Sequence, residues 1–182
     1  MNRLKLRFEN LQQIVGGDGI ALVLLTDMER KRALTVICDE AMMQQLLLRL
    51  KNRALCRTML PETLLSLLPS HYEMMIFGIY DGQYQVALMD EQGTSRRLRM
   101  SDAVLLSLMS NIPLYIEEGL MEHQSVPYDE KATGISIPIN TMDLPRLKKA
   151  LQHAVDTENY ELASKLRDEI NNRMTPQTTT LS

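Results

Sequence analysis

The stretch "MMIFGIYDGQYQVALMD", Met74 to Asp90, decides the fold class. It sets Asp81-Gly82 between two apolar, β-prone runs, and such a pair accepts the positive φ angles of a tight hairpin turn. A second turn at "EQGT" leads into "SRRLRM", so three consecutive antiparallel strands are expected between about Glu73 and Met100.

Upstream, "LKLRF" alternates with period two and puts Leu4, Leu6 and Phe8 on one side, while "IALVLLT" and "ALTVI" read as two further aliphatic strands joined by the charged "DMERKR". Asp39 is placed to cap a helix through "EAMMQQLLLRLKNR", in which Met42 or Met43, Leu46, Leu47 and Leu50 keep a helical beat. Pro61 sits where a short second helix, "PETLLSLL", begins. Ser101 or Asp102 can cap the next helix, "DAVLLSLMS", which "NIP" stops before the strand-like "LYIE". The expectation is an α+β domain over residues 1–121, a mostly antiparallel sheet with packed helices.

From Glu122 to Asp143 two prolines and a glycine interrupt any period, which predicts a linker over 122–143 with room for a short strand at "GISIPI". A helical pattern resumes at Leu144. Leu144, Leu147, Leu151 and Ala154 make one stripe; Tyr160, Ala163, Leu166 and Ile170 make another, with "DTEN" as the turn between them. Residues 144–174 therefore form a small C-terminal αα-hairpin, and 175–182 a disordered tail. A two-helix unit falls below the roughly 40 residues at which domains usually fold unaided, so its apolar stripe needs a surface: its own first domain, the same hairpin of a second chain, or another protein.

A net charge of −3 gives no global attraction to nucleic acid, so such binding must come from a local patch. Three patches exist: Arg30, Lys31 and Arg32; Arg49, Lys51, Arg53 and Arg57; Arg96, Arg97 and Arg99. Cys38 and Cys56, with 17 residues between them, fit neither a redox pair nor a zinc knuckle and are expected to be reduced structural thiols. His71, His123 and His153 show no metal spacing, and "GGDG" at 16–19 lacks the ending of a phosphate loop. The N-terminus has no continuous apolar core and the longest apolar run is six residues, so neither a signal peptide nor a membrane span is expected, and the compartment is the cytoplasm.

"LKKALQHAVDTENYELASKLRDEI" resembles the UVR motif, the helical hairpin named from the excision-repair proteins UvrB and UvrC. Tyr160, Glu161, Ala163, Leu166, Arg167, Asp168 and Ile170 match it one by one. The resemblance implies a protein-interaction hairpin that self-associates or pairs with a related one, with Leu147, Leu151, Tyr160, Ala163, Leu166, Arg167 and Ile170 facing the partner.

"DEAMMQQLLLRL" and "RMSDAVLLSLMSNIPLYIEEGLM" make the first 120 residues similar to the bifunctional nuclease (BFN) domain. That resemblance implies hydrolysis of phosphodiester bonds in DNA or RNA. Glu40, Asp102 and Ser101 are then the catalytic candidates, Glu40 and Asp102 the ligands of a Mg²⁺ cofactor, and Arg99, Arg97 and Arg96 the nucleic-acid contacts. The chemistry asks for negative ligands to a cation, a group that activates water, and positive charge facing the phosphate. Leu60, Pro61 and Glu62 stand where the family typically has Thr-His-Asp, Arg97 where it usually has Asp, and Met100 where it has Pro. The same residue types also serve plain helix capping, since Ser101-Asp102 at a helix start and Glu40 in a first turn suit the helix dipole. Two readings follow: a nuclease with an interaction hairpin, or a non-catalytic homo-oligomeric adaptor whose hairpin recruits a protein partner.

Overall fold

Asp81 and Gly82 both adopt positive φ, 47° and 73°, and reverse the chain between β4 (Tyr72–Tyr80) and β5 (Gln83–Asp90). Asp81 tolerates this conformation because its short polar side chain lowers the penalty, and Gly82 because it has no Cβ. A turn containing Gly93, also at positive φ, then leads to β6 (Ser95–Leu98), which pairs antiparallel with β5 from Val86↔Leu98 to Met89↔Ser95. The computed structural model describes residues 2–13, 20–67, 71–130, 139 and 142–174. The chain divides into two compact units: Met1–Gly78 with Tyr84–Ser136, and Ile79–Gln83 with Ile137–Ser182.

The first unit carries an eight-stranded sheet in the order β6-β5-β4-β7-β1-β2-β3-β8. β1 (Arg3–Gln13), β2 (Ala21–Asp27) and β3 (Arg32–Cys38) form an antiparallel meander, with a register shift in β1 between Phe8 and Asn10. β7 (Leu114–Glu117) lies between β1 and β4, antiparallel to the first and parallel to the second. Five consecutive residues of β2, Ala21 to Leu25, include four fully or nearly fully buried side chains. Neighbours on a strand point to opposite faces, so both faces of the sheet are covered there, which is why this segment is a continuous apolar run rather than an alternating one.

Helix α1 (Glu40–Asn52) begins at Asp39, whose carboxylate accepts from the Met42 amide at 2.8 Å as the sequence predicts. It buries Met42, Met43 and Leu46. A 3₁₀ turn (Leu55–Thr58) connects it to α2 (Leu60–Leu67), none of whose side chains is buried; Leu60, Leu64 and Leu67 are all exposed. Helix α3 (Met100–Met109) buries Met100, Ala103 and Val104 and packs on α1.

Residues beyond 121 continue the first unit. Helix α4 (Glu118–Gln124) follows β7 directly, and the two-residue β8 (Val126–Pro127) pairs with β3, backed by the Tyr128 amide donating to the Lys31 carbonyl at 2.9 Å. The start of the expected linker is therefore built into the sheet edge. The expected strand at "GISIPI" and the C-terminal tail lie outside the described residues, apart from Ile139.

In the second unit, α5 (Leu144–Asp156) is capped by Asp143, which accepts from the Arg146 amide at 2.9 Å, and α6 (Tyr160–Met174) follows after Thr157, Glu158 and Asn159. The two predicted stripes face each other except at Tyr160, which is exposed: Leu147, Ala154, Ala163, Leu166 and Ile170 are buried together, with Ile139, Met142, Ala150 and Leu151 packed around them. Ala154 and Ala163 are small residues on either side of the turn, which lets the helices approach there.

Candidate functional site

The N-terminal ends of α1 and α3 bring the predicted polar residues into one region. Arg99 immediately precedes α3 with extended backbone, φ −69° and ψ 147°, and supplies no side-chain cap. The helix starts earlier than its sequence suggests, so Ser101 and Asp102 sit within its first turn rather than at its cap. Asp102 instead receives the Arg99 guanidinium, Nε to Oδ2 at 2.7 Å and Nη2 to Oδ1 at 3.1 Å. This bond raises the Arg99 pKa, through hydrogen bonding and charge, and Asp39 adds to the rise from the start of α1. The pair faces water, with the Arg99 side chain 73% and the Asp102 side chain 31% exposed.

Glu40 is exposed in the first turn of α1, and its carboxylate makes no hydrogen bond or ion pair with any described residue. The structure thus joins Arg99 and Asp102, adds Asp39 electrostatically, and leaves Glu40 outside the bonded set. Asp39 was legible as a helix cap but not as a neighbour of Arg99. Among the described residues no group of three or more His, Cys, Asp or Glu side chains is placed to hold a metal ion. Mg²⁺ is commonly held by one or two carboxylates with water and phosphate completing its shell; of the two candidates Glu40 and Asp102, Asp102 is engaged by a guanidinium here.

The basic patches have separate fates. Arg30 donates to Glu9 at 2.5 Å, Lys31 pairs with Glu29, and Arg32 caps α4 through Ser125 Oγ at 2.5 Å and the Glu122 and Ser125 carbonyls at 2.9 and 3.1 Å. That cluster is consumed by folding. Arg96 and Arg97 are exposed on β6, a strand at the end of the sheet order, and as consecutive strand residues they point to opposite faces. They do not form a single surface with each other.

The third patch lines a cavity of about 350 Å³ at the other ends of α1 and α3, walled by Arg49, Arg53, Arg57 and Glu62 and by Leu108 and Met109. Arg49 is held from both sides: Nε and Nη2 donate to Glu62 at 2.7 and 3.1 Å, and Nη1 donates to the Gln45 carbonyl and side chain at 3.1 and 2.7 Å. Arg53 and Arg57 are exposed and pair with no carboxylate among the described residues. No catalytic candidate lines this cavity. The four-residue steps 49, 53 and 57 were the sequence signal for a shared wall.

In the hairpin, Leu147, Ala163, Leu166 and Ile170 are interior and Leu151 partly so, because the two helices bury these faces against one another. Tyr160, 67% exposed, and Arg167, with an exposed side chain, face solvent instead. Val155 and Leu162 are also exposed there.

No helix among the described residues is long and apolar enough to cross a membrane. Residues 144–172 match the UvrB/uvrC motif, which covers α5 and nearly all of α6. Among curated proteins, none matches the sequence significantly. The bifunctional nuclease domain matches residues 23–129, from within β2 to just past β8, and since this is more than half of the chain, the protein belongs to the bifunctional nuclease domain family.

Proposed function

We propose that this protein acts in the cytoplasm on DNA or RNA, hydrolysing phosphodiester bonds, and that its α5–α6 hairpin is an interaction module for a second copy or another protein. The observation that carries the reading is the family match over 23–129, a span that contains Glu40, Arg99, Ser101 and Asp102. The local chemistry supports it. An exposed Arg99 can turn from Asp102 to a phosphate, which meets positive charge at the start of α3. Asp102 is then free to accept a proton from attacking water. No step is routed through Mg²⁺; Glu40 and Asp102 are the residues that would hold it, and the cation enters as a variable of the test.

The test is cleavage of single- and double-stranded DNA and RNA by the purified protein, with Mg²⁺ or with chelator, beside a Glu40→Ala/Asp102→Ala variant. Activity lost in the variant supports the site. Activity that persists unchanged places catalysis elsewhere.

The second reading, a homo-oligomeric adaptor without catalysis, is favoured by one observation: both Asp102 oxygens are engaged by Arg99. It predicts no cleavage under any condition, together with a stable assembly seen by light scattering.

A further inference from the structure

The arginine-lined cavity has a charge balance that folding alone leaves open. Arg49 and Glu62 neutralise each other inside its wall, which removes both from the count. Arg53 and Arg57 remain, two guanidinium groups four residues apart with no carboxylate partner among the described residues. Arg53 stands at the C-cap of α1 and Arg57 in the following 3₁₀ turn. The helix dipole accounts for one cation at the end of α1, where Arg53 stands, but not for a second beside it on the wall of a cavity. Arg30, Lys31 and Arg32, by contrast, are each engaged by an acid or by helix carbonyls.

Leu108 and Met109, at the end of α3, add apolar surface to the same lining. A ligand that matches this lining carries an anionic head and an apolar body. About 350 Å³ lies within the roughly 300–1,000 Å³ of small-molecule pockets and suits a body of mononucleotide size. Arginine binds phosphate through paired, planar donors, and two of them match a terminal phosphate with several free oxygens.

We propose that this cavity binds a phosphomonoester of mononucleotide size, its phosphate between Arg53 and Arg57 and its base against Leu108 and Met109. Free nucleotides and the phosphorylated end of a nucleic-acid strand share this chemistry. The site is separate from the predicted cleavage residues: Glu40 and Arg53 lie at opposite ends of α1, roughly 20 Å apart along a helix rising 1.5 Å per residue. The proposal does not depend on phosphodiester cleavage.

The experiment is calorimetric titration of the full chain with AMP and with inorganic phosphate, and fluorescence titration with a short labelled oligonucleotide bearing either a 5′-phosphate or a 5′-hydroxyl. Saturable binding of AMP or of the phosphorylated strand is expected, at least tenfold weaker in Arg53→Gln/Arg57→Gln, with an unchanged thermal midpoint because both residues are exposed. Preference for the 5′-phosphate strand over AMP identifies a strand end as the ligand; the reverse identifies a free nucleotide. Lys51→Gln, a single neutralisation in the last turn of α1 and outside the cavity lining, should leave binding within twofold. The proposal is overturned if neither probe binds saturably, if the double variant binds as well as the parent, or if Lys51→Gln weakens binding as much as the double variant. Inorganic phosphate binding as tightly as both organic probes overturns the role given to Leu108 and Met109.

Discussion

Arg49 donates to both carboxylate oxygens of Glu62, at 2.7 and 3.1 Å, from a side chain only 2% exposed. The bond ties α1 to α2, a helix with no buried side chain of its own to anchor it. Glu62 stands where the family typically carries the last residue of Thr-His-Asp, so one of this chain's departures from that pattern retains a carboxylate and uses it structurally. Removing one partner of a buried ion pair leaves an uncompensated charge, at a cost of roughly 3–5 kcal/mol. Glu62→Ala is expected at the lower end of that range, because Glu62 is itself 17% exposed. Urea unfolding checks it; a loss under about 1 kcal/mol would mean that water or Gln45 compensates Arg49.

The Arg99–Asp102 pair should behave in the opposite way. It is exposed and screened, so Asp102→Asn is expected to change stability by less than about 1 kcal/mol. If Asp102 accepts the proton of attacking water, the same change lowers the cleavage rate by about 10²-fold or more. Unfolding and cleavage measured on one preparation separate the two effects, and a large stability loss with intact cleavage would make Asp102 structural.

Cys38 is buried at the end of β3, and burial, followed by the negative charge of Asp39, pushes its thiol up to about 11 from 9.0. At pH 8 only about one thiol in a thousand is then ionised, so native protein should resist iodoacetamide while denatured protein reacts at both cysteines. The raised value favours the protonated fold. Its contribution is fully present below about pH 9 and is lost between 9 and about 11, as the unfolded chain ionises first, an effect of up to about 3 kcal/mol. Comparing unfolding of the parent and Cys38→Ala across that interval checks the sign.

The hairpin interior predicts a local failure. Leu166 is 1% exposed among Leu147, Ala154 and Ile170, and truncation of such a leucine costs about 2–5 kcal/mol. Leu166→Ala should therefore abolish hydrogen-exchange protection in α5 and α6. Tyr160→Ala, at an exposed position, should preserve that protection and weaken only partner capture or self-association.

The parts legible in the sequence are those set by local rules: the Asp81-Gly82 turn, the Asp39 cap and the two hairpin stripes. What was not legible depends on partners far along the chain. β8 has two residues and no period, and it exists because β3 offers it an edge. The start of α3 was misplaced because Ser101 and Asp102 look like caps, while the helix begins behind Arg99, which has no capping side chain. The wall of the cavity was visible as charge, but the Arg49–Glu62 bond that separates structural from unpaired arginines spans two helices and needs coordinates. The hairpin stripes were read correctly as helical faces, yet their burial against each other could not be told from burial against a partner by period alone.

The placement of β7 has a bearing on biogenesis. In the sheet order, two local meanders, β1-β2-β3 and β4-β5-β6, are joined by this four-residue strand. A ribosome releases the first meander long before Leu114–Glu117, so β1 and β4 each wait with an unpaired edge, the situation in which strands from neighbouring nascent chains can pair wrongly. Closing β7 onto β1 joins residues more than 100 positions apart, a contact whose loop entropy slows folding. Crowded translation should therefore damage this protein most before residue 117 emerges, and a prematurely terminated chain ending ahead of β7 should aggregate rather than fold.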